Sequence, residues 1–179
     1  SLFIVQKIKG MIKLPNGNFK VKFDPIVRAE ILQIESTNPH FVTRFKTMPT
    51  VQDDIDQELA LIRMLAKQVV DNSKTLLKNP KNALDAIQKG VSSEKLCDIV
   101  ADSLKIGENV KFKYIETASL NKRLTFLLED IEKEKYMSQI ENQINMTVKK
   151  NIDENQKEYY LREKMKAIQE ELGDKVKKE

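Results

Sequence analysis

Residues 108–172 contain neither glycine nor proline. A stretch that long without a breaker has to be helical over most of its length. From Ser119 onward the apolar residues keep three- and four-residue spacing: Leu120, Leu124, Leu127, Leu128 and Ile131, then Met137, Ile140, Ile144, Val148 and Ile152, and last Leu161, Met165, Ile168, Leu172 and Val176. At 1.5 Å per residue, residues 119–172 would span roughly 80 Å, more than a compact lobe can cover. The first two or three turns are therefore expected to pack on the rest of the chain, and the remainder to project with one apolar seam. Residues 149–156, poor in apolar side chains, are the expected place for a bend, and Gly173 the expected stop or hinge. Glu158 with Arg162, Glu171 with Lys175, and Asp174 with Lys178 stand four apart with the acid first, a spacing that supports an exposed helix.

The chain starts differently. Over residues 1–48 apolar and polar positions alternate, with Ile4, Ile8, Ile12 and Leu14 on one side and Lys7, Lys9, Met11 and Lys13 on the other. Asn16-Gly17 predicts a two-residue type I′ hairpin, which pairs Leu14 with Phe19, Ile12 with Val21 and Lys13 with Lys20. Asp24-Pro25 predicts a turn, residues 26–34 a third strand, Asn38-Pro39 a second turn, and residues 41–48 a fourth strand ended by Pro49. At Thr50 the period changes. Thr50 is read as a helix cap with Asp53 and Asp54 in the first turn, followed by Ile55, Leu59, Ile62, Ala66, Val69, Ser73 and Leu76 on one face. Asn79-Pro80 opens a second helix running to Lys89 before Gly90, and Ser92 or Ser93 caps a third with Leu96, Ile99, Val100 and Leu104 on one side, closed by Gly107. Val110, Phe112 and Tyr114 alternate with lysines and read as a strand on pattern alone.

The order of residues is more particular than these patterns. The run QKEYYLREKMKAIQEELG, residues 156–173, closely resembles the helix that joins the N-terminal domain to the ATPase ring in Lon-type ATP-dependent serine proteases. Leu14-Pro15-Asn16-Gly17, Arg28-Ala29 and Asn121-Lys122-Arg123-Leu124 resemble that family's hairpin, second β segment and helix start. Pro25 departs from the pattern, since the family usually carries a glycine ahead of the Arg-Ala pair. The resemblance implies an α+β chain: a small antiparallel β lobe over residues 1–49, PUA-like in the family and partly truncated, a helical bundle over 50–118, and a long helix over 119–179. It implies a short helix, not a strand, around residues 110–114. It further implies a cytoplasmic, non-catalytic region that recognises unfolded or degron-bearing proteins and supports a hexamer engaged in protein quality control.

Motif and composition set limits. No G-x-x-x-x-G-K-[ST] phosphate loop occurs among the five glycines. ATP and magnesium are accordingly expected to belong to an ATPase domain outside this chain, with no cofactor here, and neither ATP nor peptide bonds are expected to be cleaved by it. The resemblance also implies β structure ahead of Leu2. Truncation at that end would leave an unpaired edge that a second chain could fill by strand swapping. With 40% apolar and 32% charged residues the composition is globular with a helical excess, and no stretch approaches the roughly 20 apolar residues that span a bilayer. One cysteine, Cys97, cannot form an internal disulfide. Beside Leu96 and Ile99 it reads as a core residue, and His40, beside a proline turn and without a partner at ligand spacing, as a loop residue. Asp53, Asp54, Asp56 and Glu58 read as a helix N-terminus meeting its dipole.

Residues 1–50 hold eight Lys and Arg against three Asp and Glu, a net +5 in a chain of net +4. The basic character therefore sits in the β lobe. Lys7, Lys9, Lys13, Lys20 and Lys22 form a solvated face or a contact face for phosphates or acidic partners. Weak DNA binding is the alternative function this allows. On the long helix, Tyr159, Tyr160, Leu161, Met165, Ile168 and Leu172 are the candidate contacts, either with a neighbouring helix or with unfolded clients. A purely structural coiled-coil spacer is the remaining alternative.

Overall fold

The computed structural model describes residues 2–176, in the order β1 (Leu2–Lys13), β2 (Phe19–Ser36), β3 (Val42–Met48), α1 (Ile55–Leu76), α2 (Pro80–Gln88), α3 (Ser93–Ser103), α4 (Glu108–Glu116) and α5 (Leu120–Val176). A first compact unit ends at Glu134 and a second begins at Lys135.

In the first unit, three antiparallel strands lie in the order β1-β2-β3. The expected turn at Asp24-Pro25 does not form, and the third and fourth strands expected there are the far half of β2 and β3. Pro25 sits inside β2 opposite Gln6, next to a register shift that leaves Ile26 unpaired. Its missing N–H thus falls at a bulge, where no ladder bond is lost.

The hairpin register also differs from expectation by one residue. Lys13 faces Phe19, Ile12 faces Lys20 and Met11 faces Val21. Pro15, with φ fixed near the value a type I turn needs, starts the turn, and the Gly17 N–H donates to the Leu14 carbonyl at 3.0 Å. Only Gly17, at φ +85°, enters the left-handed region, whereas a type I′ turn requires Asn16 there too. The loop is a three-residue turn with a glycine bulge.

Only Ala29 is fully buried among the described residues of the sheet. It pairs with Phe3 on one side and Thr47 on the other. A small side chain there leaves room for the Phe3 and Phe45 rings to meet edge to face, 5.6 Å between centroids.

The core of the unit is helical. Leu65, Val69 and Leu76 of α1, Ala83 and Ala86 of α2, Leu96, Cys97 and Val100 of α3, Tyr114 of α4, and Leu120, Leu124, Leu127 and Ile131 of α5 form one buried cluster. Helix starts follow local chemistry. Asp54, not Thr50, caps α1, its carboxylate accepting from the Asp56 and Gln57 amides. Pro80 opens α2, Ser92 caps α3 through the Lys95 amide, and the Ser119 hydroxyl oxygen accepts from the Lys122 amide at 3.2 Å. Gly90, at φ +63°, ends α2 as expected. The buried face of α1 is phased differently from the expected stripe: Ile55 and Leu59 are exposed, while Glu58 and Leu65 are buried. Residues 110–114 lie in α4, a helix as the resemblance implied and not the strand that alternation suggested.

α5 carries the chain from the first unit into the second. It continues without a break through residues 149–156 and past Gly173, which is neither stop nor hinge. Lys150 pairs with Glu154 at 3.8 Å within the expected bend, and a single glycine near a helix end costs only about 1 kcal/mol. No helix is long and apolar enough to cross a membrane among the described residues.

Candidate partner-binding surfaces

Strand β2, α3 and α5 bring together four charged residues far apart in sequence. Arg28 Nη1 lies 3.5 Å from Glu94 Oε1 and its Nη2 3.5 Å from Asp98 Oδ1. Arg123, fully buried, places Nη2 3.6 Å from Glu94 and Nη1 3.4 Å from Asp98. The Thr50 hydroxyl sits between the two arginines. It accepts from Arg28 at 3.0 Å and from Arg123 at 2.7 Å, and donates to Glu94 Oε1. The linker it stands on is pinned to the start of α5: the Val51 amide donates to the Ala118 carbonyl and the Leu120 amide to the Val51 carbonyl, each at 2.9 Å. Asn121 Nδ2 reaches the Asp54 carbonyl and Gln57 Oε1 at 3.0 and 2.9 Å, and the Ser119 hydroxyl donates to the Asp53 carboxylate. Sequence reasoning noticed Arg28 and Arg123 only as parts of motifs. Nothing in spacing reveals that residues 95 positions apart share two carboxylates.

The two carboxylates respond in opposite directions. Burial would raise Glu94, but the Thr50 hydroxyl and the charges of Arg123 and Arg28 outweigh it and hold Glu94 below the ordinary range. At Asp98 burial wins over both arginines, and its pKa is raised. Cys97 is fully buried in the core cluster beside Asp98, and its thiol is pushed up to about 12, chiefly by desolvation. Tyr114 donates to Asp130 Oδ2 at 2.6 Å, and Lys113 meets the same carboxylate at 2.7 Å. Burial first, and this hydrogen bond second, raise the tyrosine's pKa.

Beside the four-charge cluster a cleft of about 800 Å³ opens between the sheet and the bundle. One wall is mostly apolar, with Ile4, Phe23, Pro25, Ile26 and Met48; the other carries Glu94, Asp98, Asp102 and Glu108 together with Lys111. Directly paired residues share a sheet face, and faces alternate along a strand. Phe19, Val21 and Phe23, with partners Lys13, Met11 and Ile8, therefore stand on the face whose continuation, through Pro25, lines the cleft. Ile8, Met11, Phe19 and Phe23 are 51 to 62% exposed. This is an uncovered apolar track leading into a groove.

The five candidate lysines do not share that arrangement. Lys20 and Lys22 of β2 stand on one face with Asp24, which Lys7 opposes, while Lys13 stands on the other face opposite Phe19. Lys9 lies in the bulge between Ile8 and Gly10 and pairs with Asp24 at 3.0 Å. In the second unit, Tyr159, Tyr160, Leu161, Met165, Ile168 and Leu172 are all half or more exposed. Arg162 pairs with Glu158 there, and Lys164 lies over the Tyr160 ring at 5.8 Å. The Val176 side chain and the Lys178 partner of Asp174 lie outside the described residues. No group of three or more His, Cys, Asp or Glu side chains able to hold a metal ion occurs among the described residues.

Comparison with known proteins agrees with this architecture. The model of the ATP-dependent protease La (LON) substrate-binding domain matches residues 4–133. A Lon protease of Aster yellows witches'-broom phytoplasma (strain AYWB) is 40% identical over 177 residues, covering 98% of this chain and 22% of the relative. One from Brevibacillus choshinensis is 33% identical over 175 residues, again 98% of this chain and 22% of the relative. The chain thus spans about a fifth of the length of these curated relatives. The solved N-terminal domain of a Mycobacterium avium complex Lon protease superposes with a TM-score of 0.61 at 16% identity, over 74% of this chain and 70% of that one, and so shares the fold. With the family model spanning well over half of the chain and relatives above 30% identity covering nearly all of it, the chain belongs to the Lon protease substrate-binding domain family.

Proposed function

We propose that this chain is the client-recognition and oligomer-supporting region of an ATP-dependent Lon-type protease that degrades misfolded and tagged proteins in the cytoplasm. The observation that carries the reading is the apolar track Ile8, Met11, Phe19 and Phe23 running into the cleft. Side chains of that size left half exposed or more on a sheet face mark a docking surface. An unfolded segment laid along it contributes apolar side chains to the track and main-chain hydrogen bonds to an open strand edge, with little demand on sequence. The exposed residues from Tyr159 to Leu172 support pairing with a neighbouring subunit, as in a hexamer, or a second contact with clients. ATP and magnesium are used by other segments of such a machine.

The test is a titration of a fluorescently labelled unfolded polypeptide against the chain. Binding is expected in the range of tens of micromolar or tighter, about 6 kcal/mol or more, and Phe19→Ser with Phe23→Ser should weaken it about tenfold or more. No binding by the unsubstituted chain would remove the reading. A nucleic-acid role through Lys7, Lys20 and Lys22, which the sheet brings to one face, predicts instead retention on DNA that is lost when these become Gln.

A further inference from the structure

The cleft is not evenly charged along its length. Glu94, Asp98 and Asp102 stand at four-residue intervals on α3, a row of about 12 Å along one helix face. All three line the cleft. At one end Arg28 and Arg123 meet Glu94 and Asp98 through four contacts of 3.4 to 3.6 Å. At the other end the balance is acidic. The Asp102 carboxylate has no cation within ion-pair distance among the described residues, and the Glu108 side chain, 82% exposed, meets only Lys111 at 4.0 Å. Lys111 also spends its ammonium on the Asp102 main-chain carbonyl, at 2.5 Å. Two carboxylates therefore line the groove at this end with a single cation, Lys111, beside them, while the opposite wall is mostly apolar.

We propose that the cleft selects, among extended client segments, those that carry a lysine or arginine within an apolar stretch, the apolar residues on the Ile4–Phe23–Met48 wall and the cation at Asp102 and Glu108. This rests on the client-binding role proposed above and names its substrate class. Lysine and arginine suit the site because their methylene stems lie along apolar surface while the charged head reaches water and carboxylate together. A cleft of this volume is the size of an ordinary ligand site, and three or four extended residues span the α3 row at about 3.3 Å each. Because both carboxylates are exposed, the contribution is to selectivity, screened by salt, more than to total affinity.

The experiment uses three labelled peptides that share one apolar sequence and differ only at a central Lys, Gln or Glu. They are titrated against the chain, its Asp102→Asn/Glu108→Gln variant and its Phe23→Ser variant. Both acidic positions are exposed, so the double variant should fold. The Lys peptide is expected to bind about five- to tenfold more tightly than the Gln peptide at low salt, with the Glu peptide weakest. The preference should collapse in the double variant, with the Gln peptide's affinity unchanged, and shrink in 0.5 M salt, a condition chosen to be about three times physiological strength. Equal affinities for the Lys and Gln peptides, or a preference that survives Asp102→Asn/Glu108→Gln, would overturn the inference. If the Gln peptide binds and Phe23→Ser weakens it without any Lys preference, the selectivity is lost but client binding stands. If none of the three binds, both fall.

Discussion

Arg123 is the residue on which the first unit's polar interior turns. Its side chain is fully buried, its Nε has no hydrogen-bond partner, and its two terminal nitrogens serve Thr50, Glu94 and Asp98. Arg123→Met keeps most of the packing and removes the charge, leaving Glu94 and Asp98 to share Arg28 alone. The expected loss is about 3 kcal/mol in urea unfolding. Arg123→Lys should recover less than half of that, since a single ammonium cannot reach three acceptors set around a planar fork. Glu94 adds a pH dependence. Its folded pKa is lowered, so its contribution is present above the unfolded carboxylate range and lost as pH falls through the folded value. Glu94→Gln should therefore cost about 1 kcal/mol at pH 7, discounted because the side chain is 44% exposed, and the gap from the unsubstituted chain should close in acid. For Asp98, raised in the folded state, the sign reverses: its ionisation opposes folding as pH rises, so Asp98→Asn should cost less than Glu94→Gln at pH 7. Equal losses for the two variants at pH 7 would contradict this assignment. The sequence motifs around Arg28 and Arg123 were visible, but their meeting was not, because it depends on how the linker at Thr50 crosses the head of α5.

Among the elements, the β hairpin and α1 show why some local patterns were legible and others were not. Asn16-Gly17 located the turn correctly, yet Pro15 decided its type, and that one-residue change moved Lys13 opposite Phe19, off the face of Lys20 and Lys22, while the bulge at Lys9 put Lys7 back on it. Periodicity reads a face only when the register is known, and a proline at the first turn position shifts the register without disturbing the alternation. The turn makes separate demands on its two central candidates. Gly17→Ala should cost about 1–2 kcal/mol, because an L-residue is strained at φ +85°. Asn16→Ala should cost under about 0.5 kcal/mol, its one exposed contact being the Oδ1 that accepts from the Asn18 amide at 3.1 Å. Faster hydrogen exchange at the Lys13 and Phe19 amides in Gly17→Ala alone is the expected readout. In α1 the apolar spacing gave the helix but not its phase: Asn121 grips Gln57 and the Asp54 carbonyl, which sets the rotation of the first turn and leaves Ile55 and Leu59 exposed. Val69, Ser73 and Leu76, further along, are buried as the stripe predicts.

At the scale of the whole molecule, the two units meet different requirements. The first contains its own core, since every buried α5 residue in the cluster, from Leu120 to Ile131, precedes Glu134. Among the described residues the second shows no such core: Ile144, Val148, Ile152, Leu161, Met165, Ile168 and Leu172 are about half exposed. A helix in water without tertiary packing is marginal, and most helical stability in proteins comes from burying one face. A chain ended after Glu134 should accordingly unfold with the same midpoint as the first unit does in the full chain, within about 2 °C. The full chain should differ in its dependence on concentration: ellipticity at 222 nm and sedimentation coefficient should both rise as it is raised, because a partner covering the second unit adds helix and mass together. Leu161→Gln, Met165→Gln and Ile168→Gln in combination should abolish both trends while leaving the first unit's melting unchanged. A helix content independent of concentration in the unsubstituted chain would mean that the second unit needs no second copy, and would end the pairing reading of its exposed apolar residues.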